Sequence, residues 1–450
     1  MNNPDAHHLS HAISETDTIC APATAPGGAL AIIRVSGPNA LSIVSSVCCG
    51  ITTTTPANTI HFTRITASVP DGSPSGTTAE VIDEALVSIF HAPHSYTGED
   101  SAEIYCHGSQ YIINKVLQLL VSNGCRMATP GEYTMRAYLN GKMDLAQAEA
   151  VADLIAASNR ATHQLAMSQL RGGVSTELGK LREQLLHLTS LLELELDFSD
   201  HEDLEFADRK ELLLLARQID SHIIRLADSF QQGNAIKQGI PVAIVGAPNV
   251  GKSTLLNQLL GEERAIVSDI QGTTRDAIED RITLDGTLFR FIDTAGIRHT
   301  SDQIEQMGIE RSLAAAHRAR IIIMVTEPGV PYPNLEARPD QTIIRIENKT
   351  DSFQAKYGIG IDELRKRLIA ATPKLSDSNI VITNARHHDA LCRAHEALLR
   401  VLEGLSCNLS GDLLAEDLHD VLSILAEITG GQITPQETLN NIFRHFCVGK

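Results

Sequence analysis

The stretch GAPNVGKS, from Gly246 to Ser253, has the spacing G-x-x-x-x-G-K-S. In such a loop Gly246 and Gly251 let the backbone curl until its N–H groups point at phosphate oxygens. Lys252 brings a point charge to the β- and γ-phosphates, and Ser253 offers a hydroxyl to Mg²⁺. Asn249, Val250 and Thr254 complete the set expected around the nucleotide. Three further stretches follow in the order that guanine-nucleotide chemistry requires. GTTRD, from Gly272 to Asp276, offers Thr273 and Thr274, the latter as a second Mg²⁺ ligand. DTAG (Asp293, Thr294, Ala295, Gly296) ends the apolar run FRFI, so Asp293 can hold Mg²⁺ through water while the Gly296 N–H faces the γ-phosphate. NKTD (Asn348, Lys349, Thr350, Asp351) follows TIIRI. The Asp351 carboxylate can accept from both guanine N1–H and N2–H₂, a pairing adenine does not offer. Each string alone is common; four in this order specify GTP. Ile297 stands where Ras-like proteins place a water-orienting Gln. Glu305 is the carboxylate candidate for that task, although by composition alone it is a solvated helix charge.

Such residues need a frame. The loop lies between the apolar strand Val242 to Val245 and the helix pattern TLLNQLL, the setting a phosphate loop requires. The β/α alternation begins at IPVAIVG and fades near Thr372. On both sides of it the period is 3.6. Leu181, Leu185, Leu188 and Leu192 share one face; so do Leu212, Leu215, Ile219, Ile223 and Leu226. Beyond it, Leu414, Leu418, Val421, Leu425 and Ile428 line one helix, and Leu439, Ile442, Phe443 and Phe446 another. Before Arg126 the pattern differs. ALAIIRVSG, DEALVSIF and SAEIYCHG read as strands, TASVPDGSPSGTTAE as a loop, and SQYIINKVLQLLVSNG as a helix closed by Gly124. The expected fold is multidomain α/β plus α. An N-terminal α/β domain spans 1–126, and a helical domain spans 127–237 and 376–450. A Ras-like P-loop domain at 238–375 is inserted in the latter, with three domains in series as the alternative.

Among 450 residues, 55 are acidic and 37 basic, a formal charge of −18. Bulk charge therefore does not coat nucleic acid, and an RNA contact needs a local patch or a partner. Eight cysteines occur without a C-x-x-C pair, so neither zinc spacing nor a disulfide framework is expected. The opening MNNPDAHHLSHAISETD lacks the basic start and apolar core of a signal peptide, and no apolar run of membrane-spanning length follows. The chain reads as a soluble protein of a reducing cytoplasm, with no membrane partner. Its ending, FCVGK, places Cys447 where a prenylated thiol would stand, but Gly449 and Lys450 do not suit that motif. Metal binding has only His445 nearby. A structural or site-lining thiol on an inward-packing helix remains.

Taken together, DTICAPATAPGGALAIIRVSG, SYTGEDSAEIYCHG, PGEYTMRAYLNGKMDLAQAEAVADLI, the nucleotide motifs and the final FCVGK resemble the MnmE (TrmE) family of tRNA-modification GTPases. The resemblance covers essentially the whole chain after its first fifteen or so residues. It implies a folate-binding N-terminal α/β domain, a helical domain and an inserted G domain. It also implies a homodimer that works with a flavoprotein partner, MnmG, which carries FAD, in a heterotetramer. Together they would install a carboxymethylaminomethyl or aminomethyl group on C5 of the wobble uridine of certain tRNAs. The one-carbon unit would come from 5-formyl- or methylene-tetrahydrofolate, and the amine from glycine or ammonium. By the same resemblance K⁺ replaces an arginine finger, held by Asn249 and by the loop Ser268 to Thr274, with Ser268, Ile270 and Thr273 as its ligands. Glu305 then becomes the water-orienting catalytic group beside Lys252 and Asn249. Arg34, Glu103, Lys142 and Lys450 are the implied folate residues.

One departure stands out. From MVTEPGVPYPN through NKTDSFQAKYGIGIDEL the chain is shorter than the family usually shows, and the Ser-Ala-Lys loop that backs guanine is reduced to something like Gln354-Ala355-Lys356. Weaker guanine affinity is expected. Two rival readings are a ribosome-assembly GTPase, which would normally lack the N-terminal domain and FCVGK, and a non-catalytic GTP-gated folate scaffold.

Overall fold

A computed structural model of the chain describes residues 17–67, 80–197, 209–261, 280–292, 314–339, 341–372, 380–431, 436–444 and 446–449. Contacts group it into two compact units, Met1–Ala152 with Thr429–Lys450, and Asp153–Ile428.

In the first unit, β1 (Thr18–Pro22), β2 (Leu30–Ser36), β3 (Thr59–Ala67), β4 (Glu80–Phe90), β5 (Ser101–His107) and β6 (Cys125–Met127) form one sheet in the order β3-β4-β5-β2-β1-β6. All its pairings are antiparallel except β1 with β6. Period-two alternation sends Ala31, Ile33 and Val35 of β2 to one face, where they pack with α1 (Ala40–Val47) and α2 (Gln110–Ser122) through Val44, Val116 and Leu120. The other face carries the register row Phe62, Leu86, Tyr105, Ile32 and, one row on, Ser88, Glu103 and Arg34. Phe62 is 66% exposed and Leu86 45%. Helices α3 (Glu132–Leu139) and α4 (Leu145–Ala156) continue the unit. Burying Arg136 and Glu132 in α3 is compensated by pairing: Arg136 meets Glu132, Asp17 and Glu99, and Arg126 meets Glu132 and Asp17. The C-terminal helix Gln436–Phe443 packs Leu439 and Phe443 against Met135 and Leu145.

The second unit opens with α5 (Arg160–Leu170), α6 (Gly173–Asp197) and α7 (Arg209–Gln238). Asn159 caps α5 by accepting from the Thr162 N–H at 3.0 Å, closing a capping box. Leu181, Leu185, Leu188 and Leu192 of α6 are fully buried, as are Leu212, Ile219 and Ile223 of α7. Leu215 alone of the expected α7 face is only half-buried.

A second sheet follows: β7 (Ile240–Gly246), β8 (Asp280–Leu284), β9 (Thr287–Phe291), β10 (Ile321–Thr326) and β11 (Thr342–Glu347), ordered β11-β10-β7-β9-β8. It is parallel except for the β8–β9 hairpin. Helix α8 (Lys252–Leu260) follows β7, and α9 (Ile361–Ala370) follows β11. The sheet ends at β11, with no strand beyond it among the described residues. That edge is blunted by Arg345 and Glu347, which are exposed, and by Arg367 of α9, which donates to the Arg345 carbonyl at 3.2 Å. Helices α10 (Ala385–Ser406) and α11 (Gly411–Thr429) complete the unit, with Leu414, Leu418, Val421, Leu425 and Ile428 buried. No described helix is long and apolar enough to cross a membrane.

Candidate functional site

Strand β7 is central in the second sheet, and its neighbours β10 and β9 lie on opposite sides of it. At such a switch point the loops after the strands diverge and leave a crevice at their carboxyl ends. The GAPNVGKS loop leaves β7 there and runs into α8. Two of its residues have left-handed backbone, Asn249 at φ 63° and Gly251 at φ 96°. Asn tolerates that region better than most residues. At Gly251 the constraint is also spatial, because a Cβ would stand 2.4 Å from Asn348 Nδ2. Gly246 is held equally close, its virtual Cβ 2.2 Å from the Val325 carbonyl of β10.

Lys252 donates to the carbonyls of Gly246 at 2.9 Å and Ala247 at 2.8 Å. Burial alone lowers its pKa, since the amine sits partly inside its own loop. Ser253 and Thr254 are half-buried on the first turn of α8, and Val250 is buried. The Asn249 and Ser253 oxygens are hard donors of the kind that K⁺ and Mg²⁺ accept.

Asn348 ties the loops together. Its side chain, 4% exposed, donates from Nδ2 to the Val250 carbonyl at 2.8 Å, and its Oδ1 accepts from the Ala355 N–H at 3.0 Å. The phosphate loop, the NKTD segment and the Gln354-Ala355-Lys356 loop therefore meet at one amide. Lys349, at φ 62°, pairs with Glu327 just after β10, and Asp351 is exposed. Ser268, Ile270, Thr273, Thr274, Asp293, Thr294, Ala295, Gly296 and Glu305 lie outside the described residues, as does Lys450.

A second constellation forms in the first unit. Arg34 gives Glu103 Oε1 two bonds, at 3.0 Å from Nε and 2.7 Å from Nη2. Tyr105 donates to Glu103 Oε2 at 2.8 Å. The guanidinium lies 5.3 Å from the Tyr96 ring and 5.6 Å from that of Tyr133. Its Nη1 donates to the Gly449 carbonyl at 3.2 Å, so the FCVGK tail reaches Arg34. Gly131 receives the same tail, with its N–H on the Cys447 carbonyl at 3.4 Å. Cys447 itself is an exposed free thiol. Lys142 is not joined to Arg34 or Glu103; its amine donates to the Pro93 carbonyl at 2.8 Å, beside the loop that carries Tyr96. Sequence reasoning missed the three tyrosines and the linking role of Asn348. The alternation in SAEIYCHG puts Tyr105 on the Glu103 side, a signal that was available; nothing local marks Tyr96 or Tyr133.

A central parallel strand, a glycine-gated phosphate loop and a guanine-type NKTD segment at the switch point define a P-loop nucleotide-binding protein of the GTPase class. A family model described as the GTP-binding protein TrmE N-terminus matches residues 18–142, and the MnmE helical domain matches 145–447. A tRNA modification GTPase MnmE of Phocaeicola vulgatus is 51% identical over 494 residues, covering 96% of this chain and 99% of that protein. Those of Parabacteroides distasonis and Bacteroides fragilis are 51% and 49% identical, again over 96% of this chain. The chain belongs to the MnmE (TrmE) family. A crystal structure of Era from Aquifex aeolicus aligns with 35% of this chain and 66% of that one at 24% identity, with a TM-score of 0.22, too low to add to the argument.

Proposed function

We propose that the chain is a K⁺-stimulated GTP hydrolase acting in tRNA modification. With a flavoprotein partner it would alter C5 of the wobble uridine, using a tetrahydrofolate one-carbon unit. One observation carries the nucleotide part: Asn348 binds the phosphate loop and the guanine-side loop to each other at the switch point. The chain's residues then divide the work. The loop N–H groups and Lys252 hold the phosphates, Ser253 and Thr274 hold Mg²⁺, Asp351 reads guanine, and Glu305 orients the attacking water. Bound K⁺, held by Asn249, Ser268, Ile270 and Thr273, supplies positive charge where negative charge grows on the phosphates.

The Arg34–Glu103 pair beside Gly449 supports a folate site. Carboxylate and guanidinium suit a pterin edge and a glutamate tail, and Lys142 and Lys450 would add charge for that tail. The exposed row with Phe62 and Leu86 on the same sheet face supports a homodimer formed through this unit. The helical-domain match on both sides of the second sheet supports the insertion at 238–375. The chain's acidity favours tRNA contact through a partner, in the cytoplasm. GTP turnover is the test: it should rise sharply in K⁺ over Na⁺ and fall in Asn249→Ala. Flat turnover in both comparisons removes the catalytic reading, and unchanged wobble nucleosides in cells lacking the gene remove the tRNA part.

A further inference from the structure

Both bonds that Arg34 makes to Glu103 land on one oxygen, with Nε and Nη2 reaching Oε1 at 3.0 and 2.7 Å. Two bonds to a single atom act as a pivot. They hold Oε1 and leave the carboxylate plane free to turn about it. A second fixed point is needed, and the Tyr105 hydroxyl supplies it by donating to Oε2 at 2.8 Å. Glu103 and Tyr105 stand two residues apart on β5, so the pleat sends both to the same face.

Tyr105 is itself held. Leu86 of β4 and Ile32 of β2 flank it in register. Ser88, buried and directly across from Glu103, hydrogen-bonds the Tyr105 phenol. Burial raises the phenol above its ordinary pKa, and the bond and charge of Glu103 add to the rise. Ser88 and Arg34 act in the opposite direction and only partly offset it. At neutral pH the group is therefore protonated and can donate. A carboxylate offers about four lone-pair positions. Arg34 fills those of Oε1 and Tyr105 takes one of Oε2, which leaves a single open position, on Oε2. Arg34 is anchored a second time, through Nη1 on the Gly449 carbonyl, so Oε1 stays occupied. A ligand N–H must therefore be accepted by the oxygen that Tyr105 fixes.

We propose that Tyr105 is a positioning residue of the folate site, fixing Glu103 Oε2 so that its open acceptor position meets an N–H of the pterin edge. The proposal rests on the folate site inferred from Arg34, Glu103 and Gly449, and adds a residue that acts through Glu103. The test is a double-mutant cycle on the full chain, read by fluorescence titration with 5-formyltetrahydrofolate up to millimolar ligand. Tyr105→Phe keeps the ring and removes only the hydroxyl. It should weaken binding about tenfold, the equivalent of one hydrogen bond to a charged group. In a Glu103→Gln background the same change should have little further effect, because the carboxylate it positions is gone. A ring that merely supports the strand would weaken binding equally in both backgrounds, and that result overturns the proposal. Equal affinity in wild type and Tyr105→Phe overturns it as well, while leaving the folate site standing. Failure of the wild-type chain to bind the ligand removes the folate site itself, and this role with it.

Discussion

Nη1 of Arg34 donates to the carbonyl oxygen of Gly449 over 3.2 Å, binding β2 to a residue 415 positions later in the chain. Gly449 adopts φ 92°, and a Cβ there would stand 2.1 Å from the Pro22 carbonyl. The contact is therefore possible only with glycine. Gly449→Ala should displace the tail and weaken binding of 5-formyltetrahydrofolate about tenfold, the equivalent of one charged hydrogen bond. GTP turnover should stay intact. Equal folate affinity in the variant, measured by fluorescence titration, would argue against a tail-completed site.

Asn348→Ala leaves the Val250 carbonyl and the Ala355 N–H without their partner. Buried polar groups stranded in this way cost about 1–3 kcal/mol each. Urea unfolding should show a loss of about 2 kcal/mol or more, and calorimetry a matching drop in GDP affinity. A variant as stable as wild type would mean that the loops are held together by something else.

Among the described residues the second sheet stops at β11, and the guanine-side loop is a short 3-10 turn at Ala355–Tyr357. With less structure behind the base, GDP should bind more weakly here than to the longer Bacteroides fragilis relative. Side-by-side calorimetry decides, and equal dissociation constants would refute the expectation.

Burial by itself would raise the Glu132 carboxyl, but the Arg126 hydrogen bond, the Thr129 N–H and the charges of Arg126 and Arg136 outweigh it and hold the group below 4.5. For Asp17, too, burial pushes upward and is overcome by Arg126 and Arg136. A lowered folded pKa gives stability that is present above the unfolded value and lost as pH falls through the folded one. The first unit should therefore lose stability in acid below about pH 4.5, the ordinary glutamate value. Glu132→Gln should cost on the order of 3 kcal/mol at neutral pH by removing the buried carboxylate that Arg126 and Arg136 share, leaving Asp17 and Glu99 to balance them. It should also flatten the acid limb of a pH-dependent melting series. A limb of wild-type steepness in the variant would place the acid sensitivity elsewhere.

Periodicity and spacing, which act over a few residues, made much of the molecule legible in advance. The buried faces of α6, α7 and α11 follow from leucines spaced three and four apart, because one helical turn brings them to one side. The phosphate loop follows from its glycines and from the strand and helix around it.

Long-range contacts were not legible, because no local pattern encodes which distant surfaces meet. Nothing in GEYTMRAYL shows that Tyr133 lies under Arg34, or that Gly131 receives the tail. Sequence periodicity set a border near residue 126, whereas the contacts group residues up to Ala152 with Thr429–Lys450. Two arginines nine positions apart are unremarkable in sequence, yet the hairpin register puts them face to face. The sequence by itself determined the helices, the strands and the nucleotide loop, since those are set by neighbouring residues. Tertiary structure alone decided that Arg34, Glu103 and Gly449 meet, since only packing brings residues hundreds of positions apart within hydrogen-bonding distance.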